Sequence, residues 1–177
     1  ITNTNMKRLE PQRDETYIRG QLAWTSGDVD YNLKVDFIVC SVGTEIYYDT
    51  NLDSKDEDWS AYLNFKWDRE KIVNDLKTLP WMELQEENAQ NPHKISYYCD
   101  SEKYNEEKIK NRLQNDWYHV NVVSSHNRFV DILPKRASKG NAILYLCHKW
   151  GLQLNKVFAC GDSGNDMDMF REPINGI

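Results

Sequence analysis

Residues 157–168, VFACGDSGNDMD, put Asp162, Asn165 and Asp166 in a glycine-bearing turn directly after an apolar run. In open α/β sheets ligands gather beyond the carboxyl ends of strands, which is where such a turn would sit. Gly161 and Gly164 allow the chain to bend tightly there. Two carboxylates aimed at one spot repel each other unless a cation lies between them. Magnesium suits that role, because it takes one or two carboxylates, keeps several waters and accepts a phosphate oxygen. The same residue types also serve any strand-to-helix turn as turn and cap residues. Asn165 and Asp166, following GDSG straight after an apolar strand, favour the cation site. Upstream, Lys139 in RASKGNA falls in the first turn of a predicted helix, whose N-terminal N–H groups and positive dipole end favour anions. An ammonium group there can neutralise charge that builds up during phosphoryl transfer. A solvated surface lysine is the plainer reading, and the acidic turn downstream is what makes Lys139 interesting.

Other chemistries find less support. His93, His119, His126 and His148 show no metal-ligand spacing, and no serine or cysteine lies in a nucleophile-elbow pattern, so acyl transfer is not indicated. Cys40, Cys99, Cys147 and Cys160 lie far apart with no C-x-x-C pair, which signals neither a zinc cluster nor a small disulfide framework. Buried free thiols in a reducing compartment are expected. The 177 residues carry a net charge of −6 and no long basic block, which argues against a nucleic-acid or anionic-lipid partner. No apolar stretch is long enough for a membrane helix, and the N-terminus is not a signal peptide, so a soluble, cytoplasmic protein is expected. The chain begins with Ile1 and stops at PINGI as an apolar run starts, so both ends read as cut.

The elements that must position these residues are predicted from hydrophobic periodicity. Over 35–41, VDFIVCS reads as a buried strand ending at the turn of Gly43, and 45–48, EIYY, as a second short strand. Residues 1–34 are polar, without clear alternation. An acidic loop over 49–58 is followed by one amphipathic helix through Ile72, Leu76 and Leu79, ended by Pro80. A strand over 94–99 and a charged helix over 102–116 lead into two strands, 117–124 and 128–133, that form a hairpin. Ile143, Leu146, Cys147 and Trp150 mark one face of a helix from Ser138 to Gly151. The strand VFAC, the turn and a short helix containing Met167, Met169 and Phe170 follow. Helix, buried strand, turn and helix is the rhythm of a parallel α/β sheet.

Lys139, a helix, an apolar strand and GDSGND together resemble the second half of a haloacid dehalogenase-type phosphatase. SVGTEIYY at 41–48, QNPHKISYY at 90–98 and FVDILPKRASKGNAILYL at 129–146 narrow the resemblance to the sucrose-phosphate phosphatase family, including the phosphatase-like domain of sucrose-phosphate synthases. The resemblance implies an α/β fold: a partial Rossmann-like core over 1–49 and 134–177, interrupted by a mixed α/β cap over 50–133. It implies a Mg2+-dependent hydrolase acting on sucrose 6-phosphate in sucrose biosynthesis. Lys139 and Asp166 would be catalytic, Asp162 and Asp166 would hold the metal, and Gly43, Thr44, Glu45, Lys94 and Asn165 would face substrate. In the family an aspartate attacks phosphorus to give an aspartyl-phosphate, and a second aspartate protonates the leaving sugar oxygen.

Two family motifs are not recognisable. The nucleophile's D-x-D-x-T is not supplied by residues 1–34, where Asp28 in GDVDYN comes nearest but lacks a preceding strand and the Thr. The Thr or Ser, Gly, Arg phosphate motif is likewise missing. The chain is therefore expected to carry half an active site and to be inactive alone. The alternatives are a noncatalytic regulatory or binding module, fused to or associated with a glucosyltransferase domain, and a phosphatase for another sugar phosphate.

Overall fold

The structure, a computed structural model, describes residues 4–7, 19–22, 36–49, 52–113, 118–125, 128–160 and 164–176. The chain divides into two units, Ile1–Trp59 with Ala137–Ile177 and Ser60–Arg136.

The first unit opens with a four-stranded sheet in the order β1 (Thr4–Lys7), β2 (Arg19–Leu22), β3 (Phe37–Cys40), β4 (Glu45–Tyr47). β2 and β3 are parallel, and the outer pairings are antiparallel. The two strands before residue 34 form in a stretch whose sequence shows no clear alternation. Their residues, TNMK and RGQL, carry no apolar alternation, so their pairing is a tertiary effect. All four side chains of β3 are buried, as an apolar run covered on both faces requires. A loop then leads to α1 (Glu57–Leu63), a helix not foreseen within the acidic stretch. Asp56 starts it by accepting from the Trp59 backbone N–H at 2.9 Å, so one of these acids is an N-cap.

The second unit contains α2 (Arg69–Leu76), β5 (Met82–Leu84), β6 (Ile95–Cys99), α3 (Glu106–Leu113), β7 (Val120–Ser125) and β8 (Phe129–Pro134). Its sheet is wholly antiparallel in the order β5-β6-β8-β7, with β7 and β8 forming the predicted hairpin. Ile72 and Leu76 of α2 and Ile109 and Leu113 of α3 repeat at four residues. They share a core with Ile95, Tyr97 and Cys99 of β6 and Val130 and Ile132 of β8. Both helices are shorter than expected. Asp68 caps α2 through the Lys71 N–H at 3.0 Å, and the helix ends at Leu76, before Leu79. The Lys108 N–H donates to Asn105 Oδ1 at 2.9 Å, which starts α3 after a turn at Asp100–Lys103 rather than at residue 102. β5 was also missed, since its three residues, MEL, are too few to show a period.

The first unit resumes with α4 (Lys139–Lys149), β9 (Phe158–Ala159) and β10 (Asn175–Gly176). Ser138 caps α4 from extended backbone, accepting from the Asn141 N–H at 3.1 Å. Ala142, Ile143, Leu146 and Cys147 make its buried stripe. Gly151, at φ +64°, carries the chain out of the helix in the left-handed conformation that glycine tolerates. β9 and β10 pair in parallel, and the expected short helix after GDSG is instead a 3-10 turn, Gly164–Met169. Among the described residues no helix is long and apolar enough to cross a membrane.

Candidate active site

Lys139 owes its position to the Ser138 cap. The cap fixes where α4 begins, and the first helical side chain is the lysine. Its ammonium donates to Asp166 Oδ1 at 2.5 Å, although 27 residues separate the two. The side chains are 7% and 0% exposed, so an opposite charge faces Lys139 where water screens little. Lysine and the second aspartate of GDSGND are thus brought together. Asp162 lies outside the described residues, and Asn165 falls within the 3-10 turn.

The N-terminus of α4 departs from the anion cradle expected there. The Asn141 amide is capped by the Ser138 hydroxyl, the Ala142 amide by the Ser138 carbonyl at 3.0 Å, and the Gly140 amide by Asp168 Oδ2 at 2.9 Å. Oxygen atoms of the protein already take these donors. The Lys139 ammonium, held on Asp166, is the charged side-chain donor at this end of the helix.

Gly43, another of the expected site residues, lies against the start of α4. The chain leaves β3 through three consecutive left-handed residues, Ser41 (φ +51°), Val42 (φ +61°) and Gly43 (φ +89°). A β-branched residue in that region is strained by about 1–3 kcal/mol, so surrounding bonds must hold it. Thr44, fully buried, donates to the Ser41 carbonyl through its hydroxyl at 2.8 Å and its amide at 3.2 Å. The indole Nε1 of Trp59 donates to the Gly43 carbonyl at 3.2 Å. A Cβ on Gly43 would lie 2.4 Å from the Ser138 carbonyl carbon and 2.8 Å from the Lys139 amide nitrogen. The turn therefore packs backbone to backbone against the start of α4, and only glycine fits.

Glu45 is engaged from three sides. Its Oε1 accepts from Lys55 Nζ at 2.9 Å and from the Tyr47 hydroxyl at 3.2 Å, and its Oε2 accepts from Ser41 Oγ at 2.9 Å. Burial alone would raise its pKa, but the Lys55 ammonium and the two hydroxyls outweigh that and hold the carboxyl below the usual range. Lys94 lies in the second unit, just ahead of β6. It is buried, and its backbone exchanges 3.2 Å hydrogen bonds with Asn91.

Asp56 was not singled out from the sequence. Its buried carboxylate accepts from the hydroxyls of Tyr48 and Tyr145 and, at 3.0 Å, from Lys149 Nζ. Burial works against its ionisation, yet these donors and the Trp59 amide leave its pKa lowered. The Lys149 ammonium is raised despite its own burial, chiefly by Asp56, and burial pushes the Tyr48 hydroxyl up to about 12. Through Tyr145, which packs on Trp59 with ring centroids 4.9 Å apart, this network ties α4 to the residue that holds Gly43. An Asp ahead of an aromatic at helix-cap spacing was the signal available.

The side chains of GDSGND itself offer carboxylate, amide and hydroxyl oxygens, hard donors of the kind that fits magnesium. Burial pushes the Cys147 thiol up to about 11, away from metal-binding thiolate.

Comparison with known proteins identifies the family. Residues 30–177 match the family described as sucrose-6F-phosphate phosphohydrolase. Sucrose-phosphatase 1 of Nicotiana tabacum is 38% identical over 146 residues, 80% of this chain and 34% of the relative. A putative HAD-like hydrolase of Nitrosococcus oceani is 32% identical over 164 residues, 84% of this chain and 43% of the relative. The crystal structure of the sucrose-phosphatase from Synechocystis sp., in complex with sucrose and phosphate, superposes with a TM-score of 0.72 at 31% identity, covering 81% of this chain and 59% of that one. The chain spans about a third of the length of the plant sucrose-phosphatases it matches.

Proposed function

The chain belongs to the sucrose-6F-phosphate phosphohydrolase family of haloacid dehalogenase-type hydrolases, and from that premise we propose that it serves hydrolysis of a sugar phosphate, sucrose 6-phosphate, in sucrose synthesis. The observation that carries this reading is the buried contact of Lys139 with Asp166, 2.5 Å from Nζ to Oδ1. Lys139 binds the transferred phosphoryl group and offsets its charge, as a fixed ammonium in a water-poor site can. Asp166 holds that ammonium in place. Gly43 brings the turn after β3 up to the lysine, and Thr44 holds that turn in its left-handed conformation. Glu45, Lys94 and Asn165 are proposed sugar contacts, and residues 50–133 the cap that carries part of them. Asp162 and Asp166 would hold Mg2+, which supplies Lewis-acid polarisation of the phosphate when bound.

A noncatalytic phosphatase-like module, working with a glucosyltransferase domain, is the second reading, favoured by a sequence in which D-x-D-x-T occurs nowhere. Calorimetric titration with sucrose 6-phosphate, in magnesium, tests the phosphate-binding role. The chain should bind the ester and Lys139→Met should weaken binding by about tenfold or more. Equal affinity of the two would refute the assignment. Phosphate release separates the readings: the second predicts binding without turnover even when the chain is joined to a domain supplying an aspartate nucleophile.

A further inference from the structure

We propose that Asp168 is a positioning residue: it clamps the acidic turn onto the first turn of α4 and so sets the contact between Lys139 and Asp166. Three consecutive residues of α4 each grip a different part of the downstream segment. The Lys139 ammonium takes Asp166, the Gly140 amide takes Asp168 Oδ2 at 2.9 Å, and Asn141 Oδ1 accepts from Arg171 at 3.0 Å. Arg171 also lies 3.7 Å from Asp168 Oδ2, bracing the carboxylate from its outer side. The approach is close enough to dictate sequence. A Cβ on residue 140 would lie 2.0 Å from the Asp168 carbonyl oxygen, so Gly140 is what lets the turn reach the helix.

A carboxylate accepting from an amide of a helix's first turn makes a charge-assisted bond aligned with the helix dipole. A lysine side chain, by contrast, is a flexible four-carbon stem. The place of its ammonium relative to Asp166 therefore depends on how α4 and the acidic turn are held together, and Asp168 fastens the two through a backbone donor of the helix. The functional consequence rests on the proposed phosphate-binding role of Lys139.

The test uses the whole chain, 15N-labelled on lysine side chains, with inorganic phosphate in magnesium as the probe. Loss of one ammonium resonance in Lys139→Met identifies the Lys139 signal. In Asp168→Ala that resonance should collapse to the position of solvated lysines, and phosphate affinity should fall about tenfold or more. Asp168→Asn keeps an acceptor for the Gly140 amide and should restore both. An unchanged resonance in Asp168→Ala, or damage by Asp168→Asn equal to that by Asp168→Ala, would overturn the proposal. If Asp168→Ala moves the resonance while neither it nor Lys139→Met changes phosphate binding, the clamp stands and the phosphate role of Lys139 falls. Should Asp168→Ala not fold, Gly140→Ala carries the test, because its methyl group must push the Asp168 backbone away. An intact Lys139 resonance in that variant would also refute the clamp.

Discussion

Replacing Lys139 by methionine keeps most of the side chain's volume and removes its charge, so it isolates the ion pair. Asp166 is fully buried, and the lysine ammonium lies 2.5 Å from its Oδ1. Removing one member of a buried pair costs about 3–5 kcal/mol, because the remaining carboxylate must stay desolvated without its counter-charge. Folded proteins have about 5–15 kcal/mol in total, so this is a large share. At roughly 2–4 °C per kcal/mol for a chain of this size, the melting temperature should fall by about 6–20 °C. Urea titrations of the wild type, Lys139→Met, Asp166→Leu and the double variant measure the coupling directly. The double variant should recover most of the loss, since an apolar pair leaves no charge in the interior. A cost below about 1 kcal/mol for Lys139→Met, the range of exposed pairs, would refute the reasoning.

Further expectations concern the surroundings of that pair. Gly43→Ala should destabilise by about 2 kcal/mol or more, because it adds positive-φ strain at +89° to a backbone contact of 2.4 Å, and urea midpoints would read it. Asp56 has a lowered pKa in the folded state, so its contribution is present above the ordinary aspartate range and is lost as pH falls through the folded value. Asp56→Asn should accordingly flatten the acid limb of a stability-against-pH curve, and an unaltered limb would show that other carboxylates control it. Asp162→Ala should abolish the magnesium dependence of sucrose 6-phosphate binding, measured by titration with and without the metal. Cys99 and Cys147, both pushed up to about 11 by burial, should resist thiol reagents in the native state and react once urea unfolds the chain.

The legible parts of the chain are those where one local signal decides. FIVC is apolar enough to be a strand on its own account, Ser138 ahead of an apolar stripe marks α4, and the β7–β8 hairpin shows its turn residues. The family resemblance extended that reading to the haloacid dehalogenase-type fold. Less legible were elements whose stability comes from neighbours. The first two strands carry polar residues and exist through pairing, β1 with β2 and β2 with β3, and α1 hides in an acidic run because Asp56 looks like its neighbours until it accepts from Trp59. Helix boundaries shifted for a related reason: Asn105 competed as a cap and displaced the start of α3. Asp168 was invisible as a clamp, since nothing in MDMF announces that its carboxylate will meet an amide 28 residues upstream.

The energetics of the site separate what holds the fold from what the fold holds. Leu146, Ile143 and the four residues of β3 would bury α4 and the sheet equally well around an apolar pair in place of Lys139 and Asp166. Desolvating an ammonium and a carboxylate costs several kcal/mol per ion, and their attraction offsets that only with close geometry. A left-handed Val42 adds further strain, and both Gly43 and Gly140 give up side-chain packing for close backbone approach. None of these choices improves the core. Each makes sense if the first unit must present a fixed ammonium beside an acidic turn, because a site that stabilises developing charge needs its dipoles placed before the ligand arrives. The Asp56 network and the Asp168 clamp then have one common effect: they hold the two sides of α4 in register, so that the strain is borne by packing and not relieved at the lysine.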